Sequence, residues 1–186
     1  MSALQNRPRT ALLVVDVQRD VVANAFRRDE VVAVVAGLVE RARAAATPVI
    51  WVQHEDAELV PGSDGWRLVE ALVPAAGEAI VRKRYRDAFD DTDLEPILAD
   101  ARVGRLFVTG AQSDFCIRST LHGALARGYD AVLVADAHTT DDMPLGDASL
   151  SAAQIVAHMN RYWHGQTAPG RSGGAVRAVD VDFATA

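Results

Sequence analysis

The sequence is poor in cysteine, lysine and aromatic residues, and it has no long apolar run. Cys116 is the only cysteine among 186 residues. That excludes an internal disulfide framework and a cysteine-rich zinc site. The apolar stretch near the start, Ala11 to Val15, is far too short to cross a bilayer. No series of charged, apolar and small residues precedes it, so no signal peptide is expected. The default reading is a soluble, cytoplasmic chain with no membrane partner. Acidic residues outnumber basic ones by 25 to 19, for a net charge of −6. With no basic block, nucleic acid is not the expected partner. The 49% of hydrophobic and 24% of charged residues are ordinary for a globular protein. At this length, residues 1–186 are expected to form a single domain.

The shortage of lysine is the sharpest of these absences. Of the 19 basic residues, Lys83 is the one lysine and the rest are arginine. Lysine is a compact charge whose pKa shifts readily, whereas arginine is broad and stays protonated. A lysine kept in a chain that otherwise uses arginine is a candidate for work that arginine cannot do. The alternative is chance, since Arg82, Arg84 and Arg86 around it make a basic run of the kind usually found on a wet surface.

What is present is an alternation of two periods. Thr10 to Val15 (TALLVV) reads as a strand buried on both faces, ending at Asp16. Val31, Val35, Leu38, Ala42 and Ala45 recur at helical spacing, with Asp29 as cap and Pro48 as stop. Val49 to Gln53 is a second strand and Trp66 to Leu72 a short helix. Ala79 to Lys83 is a third strand. Thr92 or Asp93 caps a helix to about Ala101, with Thr92 and Glu95 fitting a capping box. Arg105 to Thr109 is a fourth strand, closed by Gly110, and Ile117 to Gly128 follow helical spacing. Ala131 to Ala135 is a fifth strand. Ser151 and Gln154 open a helix through about Trp163. Thr167 to Gly174 reads as a loop, either lid or oligomer contact, and Ala175 to Val181 as a sixth strand. The rhythm predicts an α/β fold: three αβα layers around a mostly parallel six-stranded sheet of order 3-2-1-4-5-6.

In such sheets ligands sit at the carboxyl ends of the strands. Asp16 follows the first strand, Lys83 ends the third, and Cys116 begins the helix after the fourth. Each has a bland alternative: a turn carboxylate, a solvated cation, a buried small hydrophobe. The helical phase opposes the last, because Ile117 belongs to the apolar face while Cys116 shares a side with Ser119, Thr120 and Gly123. A helix start is also expected to favour the thiolate. A thiol needs a base and electrostatic help to act as a nucleophile. Asp16 can take its proton, Lys83 can hold Asp16, and backbone N–H groups before Cys116 can receive an oxyanion. Such a set serves acyl transfer. Lys83 is expected to face a cleft, not a packed core.

Three segments carry a family resemblance: ALLVVDVQRD around Asp16, KRYRDAFDDTDL from Lys83, and VTGAQSDFCIRSTLHGALARGYD around Cys116. With ADAHTTDD after the fifth strand, the chain resembles the isochorismatase-like cysteine hydrolases, which include nicotinamidases and N-carbamoylsarcosine amidase. The resemblance implies an Asp16–Lys83–Cys116 triad and a cis peptide before Gln112. It also implies an oxyanion hole from the backbone N–H groups of Gln112 and Cys116. Hydrolysis of an amide of a small molecule through a thioacyl intermediate is the implied activity. A likeness to streptothricin hydrolases, which open a cyclic amide, is carried by QHEDAELVPGSDGW, the RST after Cys116, and NRYWHGQTAPGR. His54, Trp66, Tyr85, Phe89, Phe115 and His138 are expected around the substrate.

Departures from the family pattern are informative. Val52 stands where metal-binding nicotinamidases carry the Asp of an Asp-x-His pair, so His54 is alone and no metal or other cofactor is expected. Asp87 stands where Ser or Gly is usual before Ala-Phe, and Val21 where an aromatic is usual. Isochorismatases proper, which cleave a vinyl ether, lack the nucleophilic cysteine; Cys116 therefore favours C–N hydrolysis. A non-catalytic small-molecule-binding relative is the other alternative. A thiol redox role lacks a CxxC, and dinucleotide binding lacks a GxGxxG after the fourth strand. A homo-oligomer is expected from the family and from Tyr162, Trp163 and the 167–174 segment.

Overall fold

The computed structural model describes residues 2–183. Strand β1 (Arg9–Val15) lies inside the sheet, with β2 (Val49–His54) and then β3 (Ala79–Lys83) on one side. On the other side come β4 (Val103–Ala111), β5 (Asp130–Thr139), β9 (Arg171–Val176) and β8 (Thr167–Ala168). The order is 3-2-1-4-5-9-8, and every pairing is parallel except the short β8–β9 hairpin. The expected six-strand order is present, with β9 as its sixth strand and β8 added at the edge. A separate hairpin, β6 (Met143–Leu145) with β7 (Ala148–Leu150), completes the strands.

The residues of β1 alternate between two cores, as a strand covered on both faces requires. Leu12 and Val14 pack with Trp51, Phe107 and the buried stripe of α1 (Arg28–Ala44), which includes Val35, Leu38 and Ala42. Ala11, Leu13 and Val15 pack on the opposite face with Leu94 and Leu98 of α2 (Leu94–Asp100). Leu121 and Ala124 of α3 (Arg118–Arg127) and Trp163 of α4 (Ala152–Trp163) complete that core. The Ser151–Gln154 capping box forms as read from the sequence, contributing about 1 kcal/mol to α4.

Several boundaries differ from expectation, each for a local reason. Asp29 lies inside the first turn of α1, and Arg27, in a left-handed conformation, occupies the cap position without a side-chain bond. Segment 66–72 is not helical: Leu68 bridges to Gln18 and Val69 donates to the Val17 carbonyl, so it is pinned as an extended loop. Thr92 and Glu95 form no capping box, because Glu95 is drawn to Arg7 and Tyr129. Most of the expected 167–174 loop is strand, in β8 and β9, and β9 ends at Val176 in place of continuing to Val181; residues Ala178–Asp180 form a short 3-10 turn. Trp163 is fully buried and donates to the Ala131 carbonyl at 2.8 Å, so it packs on its own sheet and offers nothing to an oligomer surface. No helix among the described residues is long and apolar enough to cross a membrane.

Candidate active site

Three parallel strands deliver the candidate residues to one edge. In β1 the pleat would send residue 16 to the α1 face, along with Leu12 and Val14. Asp16 instead adopts a left-handed backbone with φ of 51°, a costly conformation for a residue other than glycine. Its N–H is fixed by the Val52 carbonyl at 2.9 Å. Lys83 shares the face of Val81, the face that carries α3, and is paired in register with His54. This parity separates it from Arg82 and Arg84, which point outward: Arg82 lies over Trp66 and Arg84 pairs with Glu55.

The cysteine arrives on a π-helical turn, Ser113–Ile117, that joins β4 to α3. Gly110 lets β4 close on β1 just before this turn: its φ is 115°, and a Cβ there would lie 1.9 Å from the Val15 carbonyl oxygen. The Ala111–Gln112 peptide bond is cis. Three successive residues at the entry to the turn are tied to the end of β5 and the segment after it. Gln112 donates to Asp141 at 2.9 Å, Ser113 is bonded to His138 at 2.8 Å, and Thr140 donates to Asp114 at 2.7 Å.

These elements bring Asp16, Lys83 and Cys116 together. The Lys83 ammonium is 2.7 Å from Asp16 Oδ2 and 3.1 Å from Cys116 Sγ. Both members of the ion pair are buried, with side chains 0% and 1% exposed, so Lys83 packs in the core and does not itself face a cleft. That corrects the expectation that Lys83 faces a cleft and not a packed core, and it gives the residue a structural weight: removing one partner of a buried pair costs about 3–5 kcal/mol. Burial alone lowers the Lys83 pKa, but the Asp16 charge and then Cys116 reverse the effect and hold it above the usual lysine value. The Cys116 thiol is pushed up to about 12, first by burial and then by the Asp16 carboxylate, with Lys83 opposing. The expected thiolate bias of a helix start is therefore overridden, and the sulfur rests as a thiol.

A cavity of about 510 Å³ opens over Asp16 and Cys116; Lys83 lies behind them and does not line it. His54, Tyr85 and Phe115 line it, as do Gln112, Asp16 and Cys116. Trp66 and Phe89 do not: they line a separate groove beside β3, with Gln53, Ile80 and Val81. His138 is also absent from the lining; it is buried behind the cysteine turn, between Ser113 and Asn160. Burial lowers its pKa to about 4, with the Asn160 bond opposing, so it is neutral. Asp87 faces Gly123 and Arg127 and does not line the cavity. The sequence reading passed over Asp20, Val21, Arg84, Arg86 and Asp141 as lining residues, although all lie within or beside the quoted motifs. Gln18 was missed too. Fully buried, it bonds the His54 backbone through both amide atoms, at 2.9 and 2.8 Å, and so anchors β2 beside Asp16. Among the described residues, no group of three or more His, Cys, Asp or Glu side chains could hold a metal ion.

Residues 10–161 match the model of the isochorismatase domain. The chain belongs to the isochorismatase family. Over 144 residues it is 40% identical to a streptothricin hydrolase of Streptomyces noursei, a match covering 74% of this chain and 57% of that protein. The match thus spans little more than half the length of that relative. It is 32% identical over 85 residues to an N-carbamoylsarcosine amidase of an Arthrobacter species, covering 45% of this chain and 32% of the other. The crystal structure of an isochorismatase from Pseudomonas putida KT2440 superposes with a TM-score of 0.85 at 25% identity, covering 95% of this chain and 92% of that one.

Proposed function

We propose that the protein hydrolyses a C–N bond of a small amide, open-chain or cyclic, with Cys116 as nucleophile. The observation that carries this reading is a buried ammonium, Lys83, in contact with a carboxylate and a thiol that both line a cavity. Family relatives named as a streptothricin hydrolase and an amidase support the bond type. In the first half-reaction the Cys116 proton passes to Asp16 as the sulfur attacks the amide carbonyl. A thiol pushed up to about 12 does not ionise beforehand at neutral pH, so transfer and attack are coupled. Lys83 remains charged throughout and offsets the negative charge shared by Asp16 and the sulfur.

The tetrahedral oxyanion is received by the backbone N–H groups of Gln112 and Cys116. The C–N bond then breaks, and the leaving nitrogen takes the proton from Asp16. A thioacyl enzyme is left on Cys116. Water attacks that thioester, gives its proton to Asp16, and the carboxylic acid departs as the thiol is restored. The test is a screen of small amides, cyclic amides and carbamoyl compounds, read by amine or ammonia release before and after thiol alkylation. Hydrolysis that disappears on alkylation of Cys116 supports the proposal; hydrolysis that survives complete alkylation rejects the nucleophile.

A further inference from the structure

We infer that His54 is a positioning residue for Lys83: its Nδ1 accepts a hydrogen bond from the ammonium, and Asp56 holds the imidazole in the tautomer that allows this. The inference rests on the proposed role of Lys83 but concerns a residue that role does not assign.

The Lys83 ammonium has three protons to donate. Around it stand Asp16 Oδ2 at 2.7 Å, Cys116 Sγ at 3.1 Å, the Tyr85 carbonyl at 3.2 Å and His54 Nδ1 at 3.3 Å. The first two are the groups that exchange a proton in the proposed reaction. The other two lie away from that exchange and fix how the ammonium is turned about its own bond. A protonated amine cannot accept, so the imidazole nitrogen facing it must carry a lone pair. The only neutral form with a lone pair on Nδ1 has its hydrogen on Nε2. Nε2 lies 3.1 Å from Asp56 Oδ2, an acceptor placed to hold that hydrogen.

Asp56 is itself fixed. Its other oxygen accepts from the backbone N–H groups of Glu58 and Leu59, at 2.8 and 2.7 Å. Those two bonds, Leu59 first, keep its pKa below the usual aspartate value, with the His54 bond adding to them. The contacts form one continuous line: the loop backbone and His54 both donate to Asp56, and Lys83 donates to His54 and to Cys116 while pairing with Asp16. The backbone of His54 is clamped by Gln18, which fixes the point from which the ring reaches Lys83.

Two measurements test the inference. Nitrogen-15 NMR of the whole protein, at a mildly alkaline pH, should find the imidazole hydrogen on Nε2; a hydrogen on Nδ1 overturns the proposal. Separately, His54→Asn places an amide oxygen near the position of Nδ1 and keeps an acceptor for Lys83, whereas His54→Leu does not. On any amide that the screen finds hydrolysed, His54→Leu should lose roughly tenfold to a hundredfold in kcat with KM within about twofold. His54→Asn should restore most of that loss. Equal kcat in wild type and His54→Leu overturns the proposal, as does an Asn variant no better than the Leu variant. Should no amide be hydrolysed by the wild type, the hydrolytic reading fails, while the tautomer still decides the role of His54.

Discussion

The sheet carries a polar cluster at each end, and the two are built on different terms. At the amino end, Arg7 donates to Glu95 at 2.9 Å and to the Tyr129 hydroxyl at 2.6 Å, and that hydroxyl donates to Glu95 at 2.7 Å. Donors and acceptors match, the Arg7 and Glu95 side chains stay partly in water, and Tyr129 fills the core beneath. At the carboxyl end, one ammonium faces four acceptors, the charges are fully buried, and a thiol lies among them beside a cavity. A matched cluster ties elements together and asks nothing more of its members. A buried charge next to a reactive group and open space costs stability and marks a candidate functional site. Removing residues at the two ends should therefore have opposite signatures.

The largest separation is expected from Cys116→Ser. Its turnover should fall by more than about a thousandfold, since a hydroxyl is far harder to ionise. Circular dichroism and the urea midpoint should stay close to wild type. Lys83→Arg comes next, with a loss of roughly a hundredfold in kcat, because the planar guanidinium cannot occupy the space of the ammonium between Asp16 and Cys116. Lys83→Met sharpens the contrast in stability. It strands the buried Asp16 carboxylate and should lower the unfolding free energy by about 3–5 kcal/mol in urea titration.

The pH dependence of stability is a gentler test to which both clusters contribute, since burial and then Glu95 also raise the Tyr129 hydroxyl above its usual value. Folded Cys116 keeps its proton to about pH 12, whereas the unfolded thiol releases it near 9.0. The folded state then binds the extra proton, and stability falls as pH rises through that window. Lys83, raised above 10.5, acts in the same direction. On the acid side the sign is reversed: His138 is lowered from 6.5 to about 4, the unfolded chain binds the extra proton, and stability falls as pH drops between those values. Urea midpoints followed across pH should show both slopes, and Cys116→Ser should flatten the alkaline one. The smallest effect belongs to the amino end. Tyr129→Phe should cost about 1 kcal/mol and leave kcat unchanged.

The two ends also differ in how well the sequence announced them. Asp16, Lys83 and Cys116 were legible because strand ends are set by period, and chemistry at strand ends is rare enough to notice. Lys83 stood out further by being the lone lysine. Its burial was not legible: the arginines flanking it suggested a wet surface, and only the pleat parity of β3 divides them. The direction of the Cys116 shift was misread for a related reason. Helix-start electrostatics can be read locally, whereas burial and the Asp16 charge come from strands distant in sequence. Trp66 and Phe89 were misplaced because they lie on irregular segments, where no periodicity says which way a ring turns. The β6–β7 hairpin escaped because its strands are three residues each, too short to show alternation.

Everything at the carboxyl end turns on whether Cys116 carries the acyl group between the two half-reactions. Acid-quenching the wild-type protein during turnover of the amide that it hydrolyses fastest, followed by peptide mass spectrometry, decides this. An adduct with the mass of the acyl group should appear on the Cys116 peptide and be absent from Cys116→Ser. Steady turnover with an unmodified Cys116, together with an active Cys116→Ser, would rule out the covalent route.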